Sequence, residues 1–392
     1  MSALPPPSLD AINHSAALVD FLVQYSAQWE YQLSFKDYMQ QVLYAPGLGY
    51  YSAGNQKFGA GGDFITAPEL SPLFAYALAA QCREIFQQFA FTKAPQILEL
   101  GPGTGQLAFD LLQALAEHNA LPEHYLLLEI SGELRARQQQ KLSQLPKALQ
   151  SRIHWLETLP QDFNGIILAN EVMDALPVHR FWVNAQQQLS ESYVQLSPTG
   201  FTEHFLPAQA PLVAAFNRLQ ANLATPLVGP YLSEINLMLS PWLTSLSQCL
   251  DNGVVLLMDY GFSQAEYYHP QRQQGTLMCH YRHHAHSDPL LYPGLQDITA
   301  HIDFSHVAET ALAKGLHLIG FTNQASFLMG NQLAELAQVA WEKAQNPYAI
   351  AQAVQVLTAP HEMGELFKVM ALSTQPQLML QGFAEHNQLH RL

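Results

Sequence analysis

Cysteine is scarce in this 392-residue chain: Cys82, Cys249 and Cys279 are the three present. They stand far apart with no CxxC pair, which excludes a disulfide framework and reads as reduced thiols. Basic residues are few too, 17 Lys and Arg against 32 Asp and Glu, for a formal charge of −15. A surface of that sign repels a phosphate backbone, so nucleic acid is not expected as a partner and a basic protein is favoured. No run of about 18 apolar residues occurs, so no membrane span is expected. The start, MSALPPPSLDAINHS, has neither a basic-then-apolar pattern nor an Arg-rich amphipathic one. It predicts a chain without a targeting segment, residing in the cytoplasm.

What is present is an ordinary apolar fraction, 48%, and enough length for one elaborated domain or two ordinary ones. Residues 14–45 read as mainly helical, 43–72 as a long loop rich in Gly, Pro and aromatics, and 73–90 as another helix. Long loops with their own aromatic residues are usually functional. Short, nearly continuous apolar runs then predict parallel strands at 96–100, 125–130, 153–157, 165–170 and 254–260. Helices at 105–118, 131–145 and 233–250 connect them, which gives a doubly wound α/β core. Residues 178–230 break the alternation with a small antiparallel meander and a short helix. A final antiparallel pair is expected at 316–323 and 366–373.

The chemistry begins at QILELGPGTGQLAFDLL. Gly101, Gly103 and Gly105 allow a tight strand-to-helix turn and leave backbone bare for a ligand. The pattern is E-x-G-x-G-x-G, with Glu99 just before the turn. A carboxylate there would repel a pyrophosphate but suits a cationic amino group. Glu129, ending the second strand, can take both ribose hydroxyls. An amino acid joined to adenosine describes S-adenosyl-L-methionine better than a nicotinamide dinucleotide. The fourth strand runs into NEVMDALPVHR, which sets Asn170, Glu171 and Asp174 at the carboxyl end of the sheet. There Glu171 and Asp174 either hold a guanidinium by charge-assisted bonds or serve as helix-start acids. In GGDFITAPE, Asp63, Thr66 and Glu69 offer acceptors for a loop that covers the cofactor. The stretch from 275 holds His280, His283, His284 and His286, with His301 and His306 following. Its spacing fits no metal pattern, so no metal is expected. His301 and Asp303 alternate on an extended backbone as candidates for proton handling, for anchoring a lid, or as a structural pair.

With these residues the chain resembles the MidA-like family of class I S-adenosylmethionine-dependent methyltransferases, relatives of a mitochondrial complex I assembly factor that methylates an arginine. The resemblance runs through YMQQVLYAPGLGYYS, FGAGGDFITAPELSPLF, LELGPGTGQLAFDLL, NEVMDALPVHRF, MDYGF, QGTLMCHYRHHAHSDPL, PGLQDITAHIDF and MGELFKVMAL. It implies a Rossmann-like seven-stranded methyltransferase sheet, an N-terminal helical cap over 1–92 and an inserted region over 178–230. The core then comprises 93–177 and 231–392, with a lid at 261–304. It also implies S-adenosyl-L-methionine as cofactor, held by Glu99, Gly101, Gly103, Gly105 and Glu129, and a protein arginine as substrate. The expected partner is thus a basic or arginine-presenting protein, and a homodimer is the oligomer to test. Two other readings are a cofactor-binding assembly scaffold and a small-molecule methyltransferase.

Overall fold

The apolar runs in the middle of the chain become strands of one mixed sheet in a computed structural model, which describes residues 4–53, 66–198 and 200–392. Asp63 lies outside the described residues. The seven long strands are β1 (Gln96–Leu100), β2 (Tyr125–Leu128), β3 (Ile153–Leu156), β4 (Phe163–Asn170), β5 (Leu250–Phe262), β6 (His317–Asn323) and β7 (Phe367–Ser373). Their continuous order is β6-β7-β5-β4-β1-β2-β3, and the sheet counts eight strands in all, one branching off that order. β1 to β5 pair in parallel. β7 runs antiparallel to both β5 and β6, so the expected terminal antiparallel pair is an edge of this same sheet.

The chain divides into two units. One comprises Ile65–Met173, Trp242–Gly261 and Phe304–Leu392 and carries most of the mixed sheet; it is called the sheet unit below. Its helices α1 (Pro72–Gln88) and α2 (Gln106–Glu117) bury Leu78, Cys82, Ile85, Leu107, Leu111 and Leu115 with Ile97, Ile166, Leu168, Val254 and Leu256 of the strands. Fully burying one such aliphatic side chain contributes about 1.5–3 kcal/mol, so this face dominates the stability of the unit. The helix α3 (Gly132–Leu142) starts at Ser131, whose side chain accepts the Leu134 N–H, a standard N-cap. The strand order reverses where β1 lies between β2 and β4, and ligands of open α/β sheets bind outside the carboxyl ends at such a point.

The other unit comprises Met1–Phe64, Asp174–Pro241 and Phe262–Asp303 and is called the antiparallel unit. Segments that the sequence separates as N-terminal cap, insertion and lid share it, and residues 65–92 belong instead to the sheet unit. Its larger sheet joins Gln32–Ser34, Leu189–Ser197, His179–Val183 and Tyr231–Ile235, with Gly200–Pro207 also on Leu189–Ser197. Two expectations change here. The helical reading of 14–45 is interrupted by Gln32–Ser34, which pairs with Tyr193–Gln195. The helix expected over 233–250 begins at Leu239, because Tyr231–Ile235 is a strand paired with His179–Val183. In both places sheet partners distant in sequence outweigh local helical pattern. A smaller sheet takes up part of the His-rich stretch: Met278–Tyr281 pairs with His284–His286 and with Asp297–Thr299.

Candidate active site

In the sheet unit the carboxyl edge collects four acids: Glu99, Glu129 and Asp259, which are buried, and Glu171, which is half-buried. Glu99 ends β1 and accepts the Tyr125 hydroxyl at 2.7 Å. Burial, offset by that bond and reinforced by Glu129, pushes its carboxyl up to about 7. The turn after it has Gly101, Gly103 and Gly105 at φ of 58°, 52° and 82°, which L side chains rarely adopt. A Cβ on Gly103 would meet nothing within 4 Å among the described residues, so with respect to them the peptide there faces open space. On Gly105 it would press on Gln138 Cγ at 3.3 Å. Thr104 donates to Glu69, which stands in the short helix Ala67–Leu70.

Glu129 follows β2. Its Oε1 accepts the Ser131 N–H at 2.7 Å and its Oε2 accepts the Gln138 amide at 3.0 Å. At the end of β4, Asn170 donates to Glu171 Oε1 at 3.2 Å, and the buried Asn170 Oδ1 has no partner among the described residues. Glu171 is held at a φ of 52°, a left-handed conformation in a non-glycine residue, the kind of strain that concentrates at functional sites. Its N–H donates to Met258 O at 2.9 Å, and the Tyr260 hydroxyl approaches Oε2 at 3.5 Å. Burial first, then the Asp259 charge, pushes Glu171 up to about 8, against bonds from Asn170, the Ala67 N–H and Tyr260. Asp259 is fixed from both sides: Oδ2 accepts the Met173 N–H and Oδ1 its neighbour's N–H at Tyr260, each at 2.9 Å. Thr66 caps the Ala67–Leu70 helix in extended conformation without a side-chain bond to it. Its neighbour's N–H is thus spent on Glu171.

The remaining expected residues lie in the antiparallel unit. The backbone carbonyl of Asp174 accepts the Ala300 N–H at 3.0 Å. Its charge, with that of Asp297, helps to raise Tyr44 and Tyr51, whose shifts come chiefly from burial. Along the chain the boundary between the two units falls between Met173 and Asp174. His301 stacks flat on Phe262, centroids 5.2 Å apart at 4°, and its N–H donates to Thr276 Oγ1 at 3.1 Å. Asp303 accepts the Gln264 amide at 3.2 Å. In the His-rich stretch His280 is lowered by burial and then by His286. Among the described residues no three His, Cys, Asp or Glu side chains gather as a metal site.

This geometry, an acid beside an open glycine turn and a second acid after the next strand, suits a ligand with an amino group and a ribose. Residues 77–322 match the family of S-adenosyl-L-methionine-dependent methyltransferases. That is well over half of the chain. The chain belongs to this family. It is also similar to the protein arginine methyltransferase NDUFAF7 homolog, mitochondrial, of Drosophila melanogaster, 31% identical over 86% of this chain and 80% of the relative. The Danio rerio relative of that name is 29% identical over 87% and 83%. A superfamily member from Burkholderia thailandensis, solved bound to S-adenosyl-homocysteine, is 40% identical, covers 100% of both chains and superposes with a TM-score of 0.92. The protein is accordingly an S-adenosyl-L-methionine-dependent methyltransferase with an α/β fold and a mixed central sheet. The cytoplasmic placement expected from the first residues is corrected: the curated relatives are named mitochondrial. Among the described residues no helix is long and apolar enough to cross a membrane.

Several residues of this methyltransferase escape a linear reading. Gln138 sits in the polar run RARQQQK, where composition points to solvent, yet it is fully buried. Leu134, Gln138 and Leu142 share one face of α3; their four-residue spacing is the signal that places Gln138 inward. Asp259 follows the apolar run Val254–Met258 inside β5, one residue past the last pair with β4, Met258 opposite Asn170.

Proposed function

We propose that this methyltransferase modifies an arginine side chain of a basic partner protein, and that Glu171 receives the guanidinium. The observation that carries the reading is a half-buried carboxylate at the carboxyl end of β4, bonded by the Asn170 amide and the Tyr260 hydroxyl and pushed up to about 8. Such a group gains strongly from a cation that offers planar paired donors. The relatives named protein arginine methyltransferases support the substrate class, and the acidic balance of the chain supports a basic partner.

Bound S-adenosyl-L-methionine supplies a methyl carbon on a sulfonium, whose sulfur keeps the bonding electron pair on transfer. Glu99 would hold the cofactor's amino group, the glycine turn would admit its methionine portion, Glu129 would accept from the ribose hydroxyls, and Asn170 Oδ1 would offer a further acceptor. Thr66 and the Ala67–Leu70 helix carry the covering role expected of that loop. The class I reading of the sheet is supported by its order, which contains β3-β2-β1-β4-β5 as in dinucleotide-binding folds. A guanidinium is protonated up to a pKa above about 12. Forming a bond from its nitrogen to the methyl carbon releases one proton. Glu171 orients the guanidinium plane and takes that proton at a carboxylate oxygen, as a general base poised near the working pH. For His301 and Asp303 the stacking on Phe262 and the Gln264 bond favour ordering of the 261–304 segment over proton transfer. Asp174 keeps a substrate role here only as a further acid to test.

The test incubates the protein with methyl-labelled cofactor and cell lysate and maps the label by mass spectrometry. Label on arginine of a protein is the expected result. Label confined to small molecules, or on another side chain, overturns the substrate assignment.

A further inference from the structure

Gln138 occupies a position between the two halves of the cofactor cradle. Its amide nitrogen donates to Gly103 O at 2.9 Å and to Glu129 Oε2 at 3.0 Å. Its amide oxygen accepts the Trp155 indole N–H at 2.9 Å. The indole N–H is a donor and nothing else, so it decides which end of the amide is oxygen. The nitrogen must then face two acceptors, and both of its hydrogens are used. One of those acceptors is the carbonyl of Gly103, where an added Cβ would meet nothing within 4 Å among the described residues. The other is the acid at the end of the neighbouring strand. Gln138 is also the side chain under Gly105, where a Cβ would press on its Cγ at 3.3 Å.

We infer that Gln138 is a positioning residue for cofactor binding: one buried amide, oriented by Trp155, sets the glycine turn and Glu129 at a fixed separation. This rests on the reading that Glu129 accepts from the ribose hydroxyls. The physical case is a division of labour over one carboxylate. The Ser131 N–H takes Oε1 and the Gln138 amide takes Oε2, which fixes the plane of the group. A carboxylate offers about four lone-pair sites, so these two bonds do not by themselves exhaust it. Two hydroxyls on adjacent ribose carbons need both oxygens presented at once. A carboxylate free to rotate would have to be ordered during binding, at a cost in affinity. Since the same amide holds the Gly103 carbonyl, displacing Gln138 releases turn and acid together. α3 and β3 contribute through Gln138 and Trp155 without touching the ligand.

The experiment measures S-adenosyl-homocysteine affinity by calorimetry on the full chain for Gln138→Met, Glu129→Ala and the double variant, with thermal unfolding of each ligand-free protein. Gln138→Met keeps size and helix preference but removes both donors and the acceptor. It is expected to weaken binding by about tenfold to a hundredfold, the usual range for a hydrogen bond to a charged group. Added to Glu129→Ala it is expected to cost much less than it does alone, because its chief target is gone. In turnover assays the KM for the cofactor should rise while kcat at saturation stays within about threefold. Should Gln138→Met unfold at the assay temperature, Trp155→Phe, which removes the N–H alone, carries the test with an expected loss of a few fold. Unchanged affinity in whichever variant is folded, or a loss fully additive with that of Glu129→Ala, overturns the inference. Glu129→Ala binding as tightly as the parent removes the underlying reading of Glu129, and the inference with it.

Discussion

Both units bury carboxylates, and they differ in what faces some of them. In the antiparallel unit Arg180 stands beside Glu203 and Glu234, and His179 bonds Glu191, although burial still raises Glu234. Arg180 Nη1 donates to both oxygens of Glu203, at 2.6 and 2.7 Å, and its Nε stands 4.0 Å from Glu234, which is fully buried. His179 lies 2.7 Å from Glu191, and although burial pushes Glu191 up, the His179 bond leads a net lowering. In the sheet unit the donors found on Glu99 and Glu171 are hydroxyl, amide and peptide groups, and among the described residues neither acid forms an ion pair. Both are pushed up, to about 7 and about 8. A charge balanced within the chain is structure, since removing one partner strands the other. A charge left to neutral donors has no partner inside the chain to lose, and on the function proposed above it is Glu99 and Glu171 that meet cations from outside. Cofactor ammonium and substrate guanidinium are both such cations.

The widest separation of the two regions should come from Arg180→Met. It leaves Glu203 and Glu234 without their cation and is expected to lower unfolding free energy by about 3–5 kcal/mol, measured with denaturant. The fold of the antiparallel unit does not depend on this network if the change is below about 1 kcal/mol. Glu171→Gln addresses the other region. It removes a charge that burial disfavours, so stability should hold or rise. Turnover should fall about 10²-fold, which is about 2.7 kcal/mol in the barrier, while cofactor affinity stays near that of the parent. Normal turnover in a stable, cofactor-binding variant would take Glu171 out of the mechanism.

The smallest effect is in pH dependence, and its sign follows from the raised carboxyls. Glu99 and Glu171 bind protons more tightly folded than unfolded, so from the ordinary carboxyl range up to about 7–8 the folded state holds more protons. Ligand-free stability should therefore decline as pH rises through that window and flatten above it. Cofactor affinity should move the other way, rising toward pH 8 as Glu99 ionises to meet the amino group. Glu99→Gln should flatten the affinity profile and cost about tenfold at pH 8. Calorimetry at pH 6, 7 and 8 measures this; a flat profile in the parent chain would place the cofactor's amino group elsewhere.

Legibility in the sequence varied with the range of the forces involved. The strand-turn-helix at 96–117 could be read because an apolar run, three glycines and a helical period act within a few residues. The strand at Tyr231–Ile235 could not, because its place is decided by pairing with His179–Val183, some fifty residues away. Gln138 stands among polar neighbours in the chain, and its bonds to Gly103, Glu129 and Trp155 arise only on folding. Glu171 and Asp174 read as one motif from their spacing in the chain, and the boundary between the two units falls between Met173 and Asp174.

By itself the sequence determined the α/β core, the glycine turn, the two acids flanking it and membership of a methyltransferase family. Those follow from local periodicity, backbone permissiveness at glycine and motifs that span a few residues. Tertiary structure alone decided which carboxylates are paired and which await a cation, and which polar side chain ties the cradle together. Burial and counter-charge are properties of neighbours brought together by folding, and the linear order of residues does not carry them.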